Sequence, residues 1–310
     1  MLQLRIRYCD GLGRRASGRL CAWVLGGFVL PASAALSVID DQGRLETFAH
    51  PPQRIVTLLP ALAEMVCVLG HCSRLVGVDR YTQWPPELKT RPKVGGGLDP
   101  NLEQIVALRP DVVLLAASAR AADRLRALGL KVLVFEPETY ADTRAVTLKL
   151  GQLLAVPYAA DLWQKWEDAI AQAAHNLPPS AKGLRVYFEV GPEPYAAGEA
   201  SFMGEILKRL GLKNIVSPQM GTFPKLNPEF VVQANPELIL VGNKSAPLLA
   251  KRPGWGRINA VESRRICAFT PEQSDILVRP GPRLPDAARI IADCLRQKLV
   301  TQPAPAKSIA

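Results

Sequence analysis

The stretch NLEQIVALRPDVVLL (residues 101–115) recurs at a constant offset of 126 residues as NPEFVVQANPELILV (residues 227–241). Each copy predicts one helix followed by one strand. An asparagine caps the helix, a glutamate lies in the first turn where the helix dipole favours negative charge, and a proline precedes an apolar run typical of a buried strand. Two copies therefore predict two similar α/β lobes, each presenting one glutamate at the equivalent position.

The rest of the chain continues this alternation of strands and helices, which favours parallel sheets covered by helices on both faces. The first lobe is predicted to contain strands 54–59, 75–78 and 131–135 and helices 61–69, 119–128 and 141–154. The second is predicted to contain strands 184–190 and 266–269 and helices 202–210 and 285–298. The predicted fold class is α/β, with two parallel-sheet, Rossmann-like lobes.

A single long helix is predicted between the lobes. Residues 158–176 hold apolar side chains at helical spacing and contain no glycine or proline. At 1.5 Å per residue this helix is about 28 Å long and makes a stiff connector. The predicted organisation is a first lobe at 35–157, a connecting helix at 158–177, a second lobe at 178–300 and a disordered tail at 301–310.

The N-terminal 34 residues are typical of a secretory signal. Five arginines precede the apolar run 20–30, and Ala32-Ser33-Ala34 offers a small-residue cleavage site. A run of about 11 residues is too short to span a bilayer. We expect cleavage after Ala34 and a periplasmic location; an uncleaved membrane anchor is the alternative. Cys21 does not lie at the cleavage point, so its position does not indicate a lipid anchor.

Charge and motifs exclude several function classes. The formal net charge is +10, and removal of the leader, with five arginines and Asp10, leaves +6. No clustered basic stripe is present, so nucleic acid is not an expected partner. The sequence contains no Gly-x-Ser-x-Gly, His-Glu-x-x-His or phosphate-loop pattern, so we expect no enzyme and no cofactor. Cys67 and His71 could ligate a metal, but a disulfide or a helix end is favoured and no metal site is predicted.

Cysteine usage is consistent with an oxidising compartment. Beyond the leader the chain has four cysteines, which allow three pairings. Pairing of Cys67 with Cys72 and of Cys267 with Cys294 keeps each bond within one lobe and is preferred, with buried free thiols as the alternative.

Candidate ligand-binding residues lie on loops that follow the strands, where parallel sheets bind ligands. Aromatic rings supply flat apolar area, and arginines supply paired donors for carboxylates or phosphates. The candidates are Arg80, Tyr81 and Trp84 in the first lobe and Tyr195, Phe223, Asp275, Arg279 and Arg283 in the second.

Four motifs now identify a family resemblance: IVTLLPALAE (55–64), LVGVDRY (75–81), NLEQIVALRPD (101–111) and NPE (227–229). Through them the chain resembles, from about residue 54 to 298, the periplasmic substrate-binding proteins of ABC importers for cobalamin and ferric siderophores, the class with a helical backbone. The resemblance implies a monomer that captures a small metal chelate and delivers it to a membrane permease.

The resemblance also implies roles for particular residues. Glu103 and Glu229 match the surface glutamates that dock on the permease; stabilisation of helix starts is the alternative role. Tyr81, the Phe223-Pro224 pair and the Asp275, Arg279, Arg283 series match ligand-contacting positions between the lobes.

One departure concerns the loop before the first docking helix. Cobalamin binders carry a tryptophan there, whereas this chain has Gly95-Gly96-Gly97, so Gly97 faces the ligand without a stacking ring. A related corrinoid or a ferric siderophore remains the expected ligand. The alternatives are haem, with Tyr81 as axial ligand, an exported metal-dependent enzyme using the same cleft, and a sensor that binds a membrane partner without a chelate.

Overall fold

The computed structural model describes residues 35–191 and 194–300. The predicted leader (1–34) and tail (301–310) lie outside the described residues. Within the part described, no helix combines the length and apolar character that crossing a membrane requires.

The first lobe opens with a hairpin that the sequence did not predict. Strands β1 (Leu36–Ile39) and β2 (Leu45–Phe48) pair antiparallel. The buried Asp40 accepts backbone hydrogen bonds from Gln42 and Arg44 and so holds the turn. Each strand buries a single side chain, Val38 or Phe48, so the hairpin lacks the buried apolar run that identifies the sheet strands.

A four-stranded parallel sheet forms the centre of the first lobe, with strand order β4-β3-β5-β6. Neighbouring side chains alternate between two cores: Ile55 faces one and Val56 the other. Both faces are therefore covered, as predicted. The elements are β3 (Ile55–Thr57), α1 (Pro60–Val66), β4 (Leu75–Gly77), α2 (Leu102–Ala107), β5 (Val112–Leu115), α3 (Ala122–Ala127), β6 (Val132–Val134) and α4 (Tyr140–Leu153).

The second lobe repeats this topology after helix α5 (Ala159–His175). Its parallel sheet has the order β8-β7-β9-β10, so in both lobes the first strand lies between the second and the third. This identity confirms the prediction of two similar lobes. The elements are β7 (Arg185–Phe188), α6 (Phe202–Arg209), β8 (Lys213–Asn214), α7 (Pro228–Ala234), β9 (Leu238–Gly242), α8 (Asn259–Glu262), β10 (Ile266–Phe269), α9 (Pro271–Leu277) and α10 (Leu284–Val300).

The repeated sequence units have the same local structure. The Asn101 side chain accepts a hydrogen bond from the Gln104 N–H at 3.0 Å, and the Asn227 side chain accepts one from the Glu229 N–H at 2.9 Å. Arg109 and Asn235, also equivalent, both adopt positive φ angles, of 45° and 44°. The caps and the left-handed residues define the two ends of α2 and α7.

Helix α5 is the predicted connector, but it does not stand free between the lobes. Its apolar face buries Trp163, Trp166 and Ile170 in the core of the second lobe. The Trp163 ring also meets Tyr140 of α4 edge-on, with ring centroids 5.0 Å apart. The helix is therefore part of the second lobe's packing and contacts the first lobe's last helix at the same time.

Some predicted boundaries are wrong. The helix predicted at 61–69 ends at Val66 and continues as a π-helical turn, Cys67–His71, in which Gly70 has a φ of 87°. Disulfides join Cys67 to Cys72 and Cys267 to Cys294, the two preferred pairings. Helix α9 and strand β8 were not predicted. Short 3₁₀ segments occupy Cys72–Arg74, Pro86–Thr90, Ala117–Ala119, Pro179–Ala181, Pro218–Met220, Ala246–Lys251 and Trp255–Arg257.

Candidate ligand-binding site

Each lobe has a cavity at the carboxyl ends of its strands. The strand order reverses between the first and third strands of each sheet, and parallel sheets bind ligands at this switch point. The first-lobe cavity, of about 230 Å³, follows β3 and β5, and the second-lobe cavity, of about 320 Å³, follows β7 and β9. The two cavities are thus topologically equivalent.

Two exposed apolar side chains line the first-lobe cavity. Tyr81 is 62% exposed and Leu98 is 82% exposed, although both are large. The Tyr81 loop is held by the buried Asp79, whose Oδ1 accepts the N–H groups of Tyr81 at 2.5 Å and Thr82 at 3.1 Å. Burial raises the pKa of Asp79. A rigid loop thus presents apolar surface to solvent, which is typical of a ligand site.

The glycine run has a structural cause. Gly95 has a φ of 95°, and a Cβ there would lie 2.5 Å from the Asp99 carbonyl oxygen. A Cβ on Gly96 would lie 2.7 Å from Asp99 Oδ1, and one on Gly97 would lie 3.3 Å from the Leu58 carbonyl oxygen. Gly95 is therefore required by the tight loop, whereas a side chain at Gly96 would only have to displace the Asp99 carboxylate. Arg80 pairs with the Asp99 carboxylate across the same loop.

The second-lobe cavity has mostly apolar walls. Phe188 and Phe269 lie at the ends of their strands, and Leu277 and Val278 approach from α9 and its end. Glu189 also lines the cavity, but its carboxylate accepts hydrogen bonds from Arg252 at 2.5 and 2.9 Å and from the Tyr187 hydroxyl at 3.1 Å. Burial raises the pKa of Tyr187, so this hydroxyl keeps its proton. The polar atoms of this group are satisfied by one another.

A buried ion-pair cluster joins the lobes between the two cavities. Glu64 of α1 is fully buried and accepts hydrogen bonds from Arg279 at 2.9 Å and from Arg283 at 2.9 and 2.8 Å. Arg279 also donates to the Tyr81 carbonyl oxygen at 3.1 Å and to Asp275 at 2.9 Å. We call Glu64, Arg279 and Arg283 the interlobe clamp. Because it holds the Tyr81 backbone, the clamp connects the cavity loop to the second lobe.

The structure distributes the predicted ligand-binding residues unevenly. Tyr81 and Gly97 line the first-lobe cavity, and Arg80 lies beside it. None of the five second-lobe candidates lines the second-lobe cavity. The Arg283 guanidinium stacks over the Trp84 ring at 5.1 Å, Lys225 lies 5.8 Å above the Tyr195 ring, and Phe223 packs edge-on against Phe202 at 6.2 Å. Ligand binding by these residues stays a prediction, and Arg279 and Arg283 have in addition the interlobe role that the sequence did not indicate.

Several cavity residues were missed from the sequence. Leu98 follows the glycine run, and Lys244 and Ser245 follow β9, the strand of the second repeat unit. The sequence did contain a signal for Lys244 and Ser245. They lie just past the carboxyl end of a predicted strand, where ligand-binding loops are expected.

The two predicted docking glutamates occupy equivalent places. Glu103 and Glu229 lie in the first turns of α2 and α7, and both are exposed. Within residues 35–191 and 194–300, neither carboxylate forms an ion pair with a cation. Both charges therefore remain available to a partner.

The possible metal ligands near Cys67 form a weak site. Among the described residues, one group of three suitable side chains lies close together: Cys67, Cys72 and Glu87. The two sulfur atoms are bonded to each other in the disulfide, so the group offers a metal one carboxylate. His71 does not belong to this group.

Two parallel sheets of the same strand order, a cavity at the strand ends of each sheet and a buried ion-pair cluster that joins the lobes are typical of a two-lobed solute-binding protein. A family described as periplasmic binding protein matches residues 55–272. The chain belongs to this family.

Relatives of the chain are binding proteins. It is 30% identical over 273 residues to the uncharacterized ABC transporter substrate-binding lipoprotein YvrC of Bacillus subtilis, covering 83% of this chain and 84% of that one. It is 28% identical over 270 residues to the vitamin B12-binding protein of Salmonella typhimurium, covering 82% and 94%. The solved structure of the periplasmic heme-binding protein BhuT with two hemes is 29% identical with a TM-score of 0.68, covering 79% and 98%.

Proposed function

We propose that this chain is the substrate-binding component of an ABC importer and that it captures a metal chelate between its two lobes. The observation that carries the proposal is the pair of equivalent cavities, one on each side of the interlobe clamp. Arg279 connects them, because it follows Val278 of the second-lobe cavity and donates to the Tyr81 carbonyl of the first. A ligand that fills both cavities contacts both lobes.

The ligand we propose is a cobalamin-type corrinoid or a ferric siderophore. Tyr81 and Leu98 offer exposed apolar area to a macrocycle or to an aromatic chelator. The relative that binds vitamin B12 supports the corrinoid. Where cobalamin binders carry a tryptophan, this chain has Gly95–Gly97 and lacks a stacking ring. This difference favours a corrinoid smaller than cobalamin, such as cobinamide, over cobalamin itself.

Haem is the second candidate ligand, and Tyr81 favours it. A tyrosine oxygen can ligate haem iron, and the Tyr81 side chain is 62% exposed at the cavity. The similarity to BhuT, which binds hemes, adds support. A haem complex would show a Soret band that moves when Tyr81 is replaced by phenylalanine, whereas corrinoid affinity would fall only modestly with the same replacement.

The ligand proposal is tested by calorimetric titration of the chain from residue 35 onward with cobalamin, cobinamide, haem and a series of ferric siderophores. The expected result is saturable binding of one compound class in the micromolar range or tighter. Tryptophan emission provides a second readout, because Trp84 lies under Arg283 at the junction between the lobes. If all these compounds fail to bind, the proposal is wrong and a chelate-independent sensor becomes the better account.

The partner we propose is a membrane permease that the two glutamates contact. Glu103 and Glu229 are exposed, have no ion-pair partner among the described residues and occupy equivalent positions on the two lobes. Replacing both by arginine should abolish uptake of the ligand into cells and leave the calorimetric affinity unchanged. Replacing Glu87 and Glu262, two exposed glutamates that lie one in each lobe, is a matched control that should leave uptake intact. Unaltered uptake by the Glu103 and Glu229 variant would refute docking.

Export and lack of catalysis complete the proposal. We propose that the leader is removed after Ala34 and that the mature protein is a periplasmic monomer; N-terminal sequencing of the exported protein tests the cleavage site. We also propose that the chain has no catalytic activity. Chemical turnover of the bound chelate by the purified protein would contradict this and favour the enzyme alternative.

A further inference from the structure

We infer that Lys244 selects ligands with an anionic substituent and that this substituent enters the second-lobe cavity. The inference rests on the proposed function, since it assigns a ligand chemistry to the same cleft. Lys244 lines the cavity, is exposed, and forms no ion pair with any residue that the structure describes. Its positive charge is therefore available to a ligand.

The backbone places this lysine firmly at the cavity. Strand β9 ends at Gly242, and the following turn is held by two hydrogen bonds. The Asn243 N–H donates to the Phe269 carbonyl oxygen at 2.8 Å, and the Ser245 N–H donates to the Gly242 carbonyl oxygen at 3.0 Å. Lys244 lies between these two anchored residues, so its side chain starts from a fixed point at the carboxyl ends of β9 and β10.

The other charged side chains that the structure describes around this cavity are paired within the protein. Glu189, the acidic lining residue, is fully buried at its side chain and bonded to Arg252 through both oxygens. Arg279 at the junction is bonded to Glu64 and Asp275. Because each of these charges has a partner within the protein, Lys244 carries the one unpaired charge among the described residues that line the cavity.

The arginines that the sequence offered as anion receptors are already used. Arg80 pairs with Asp99, and Arg279 and Arg283 are held in the interlobe clamp. Recognition of a ligand anion in the second lobe therefore falls to Lys244, with Ser245 and Ser274 as neutral hydrogen-bonding neighbours. The apolar walls of Phe188, Phe269 and Leu277 would lower the local dielectric and strengthen this attraction. The substituent expected is a carboxylate carried on the edge of a macrocycle or an iron chelate.

The test compares pairs of ligands in which one member carries carboxylate substituents and the other carries neutral groups at the same positions. Suitable pairs are haem with its dimethyl ester, and cobinamide with a corrinoid in which one side-chain amide is hydrolysed to a carboxylate. Replacing Lys244 by glutamine should weaken binding of the carboxylate member on the order of tenfold, the loss of one charge-assisted hydrogen bond, and change binding of the neutral member by less than about twofold. Lys244→Arg should restore most of the loss.

The matched control is Lys251→Gln, which removes an exposed lysine that does not line the cavity. It should change neither affinity. Equal weakening of both members by Lys244→Gln, or no weakening of the carboxylate member, would overturn the inference while leaving the proposed function intact. If the unsubstituted chain binds neither pair nor a ferric siderophore, the proposed function and this inference both fail.

Discussion

Removing the carboxylate of the interlobe clamp should strongly destabilise the protein. Glu64 is fully buried, and the side chains of its two partners, Arg279 and Arg283, are only 11% and 9% exposed. Glu64→Leu leaves the Arg283 guanidinium without a counter-charge and Arg279 with only the half-exposed Asp275, while both guanidinium groups stay in a poorly solvated position. Breaking a buried pair in this way costs about 3–5 kcal/mol of unfolding free energy.

The assay is urea denaturation of the mature chain, followed by tryptophan emission and far-ultraviolet circular dichroism. The variant Glu64→Leu with Arg279→Met and Arg283→Met should recover most of the lost stability, because it removes the uncompensated charges as well. Asp286→Asn is the control. It breaks an exposed ion pair with Arg289 and should cost less than about 1 kcal/mol. The reasoning is refuted if Glu64→Leu costs no more than Asp286→Asn, or if the triple variant is no more stable than Glu64→Leu.

Two further predictions concern the disulfides and a buried acid. Loss of the Cys267–Cys294 bond, which closes a separation of 27 residues, should cost about 3.5 kcal/mol of unfolding free energy, and loss of Cys67–Cys72, with a separation of 5, about 2 kcal/mol. Calorimetric unfolding of the serine variants measures both costs. A larger loss for the shorter loop would contradict the prediction. Burial raises the pKa of Asp79 above its ordinary 3.8, so the stability associated with its proton is present at low pH and is lost as the pH rises through the raised pKa. Asp79→Asn should abolish this pH-dependent fall in the unfolding free energy. If the unfolding free energies of the variant and of the unsubstituted protein change in parallel with pH, Asp79 does not cause the fall.

The sequence predicted the lobes well because their signals are local. An asparagine cap, a proline and a β-branched run define each repeat unit within fifteen residues, and the structure has the same helix, left-handed residue and strand in both. Local signals failed where a turn depended on its surroundings. Cys67–His71 has the apolar spacing of a helix, yet it adopts a π-helical turn bridged by a disulfide at its edge.

The clamp and the cavities were harder to predict, because they join distant parts of the chain. Glu64 is separated from Arg279 by 215 residues and from Arg283 by 219, and no periodic pattern links such positions. The arginines were identified as charged loop residues, but their partner was not. Lys244 was within reach of prediction, because it follows a predicted strand of the repeat, whereas the exposure of Leu98 depends on how the glycine loop folds back on Asp99.

The central claim is that one ligand is held between the two lobes. Hydrogen–deuterium exchange of the mature chain, measured alone and with saturating cobinamide, cobalamin, haem or a ferric siderophore, tests it most directly. The account predicts that at least one of these compounds slows exchange at both the loop 79–99 and the turn 242–245, one in each lobe. Protection confined to a single lobe, or absent with every compound, would contradict it.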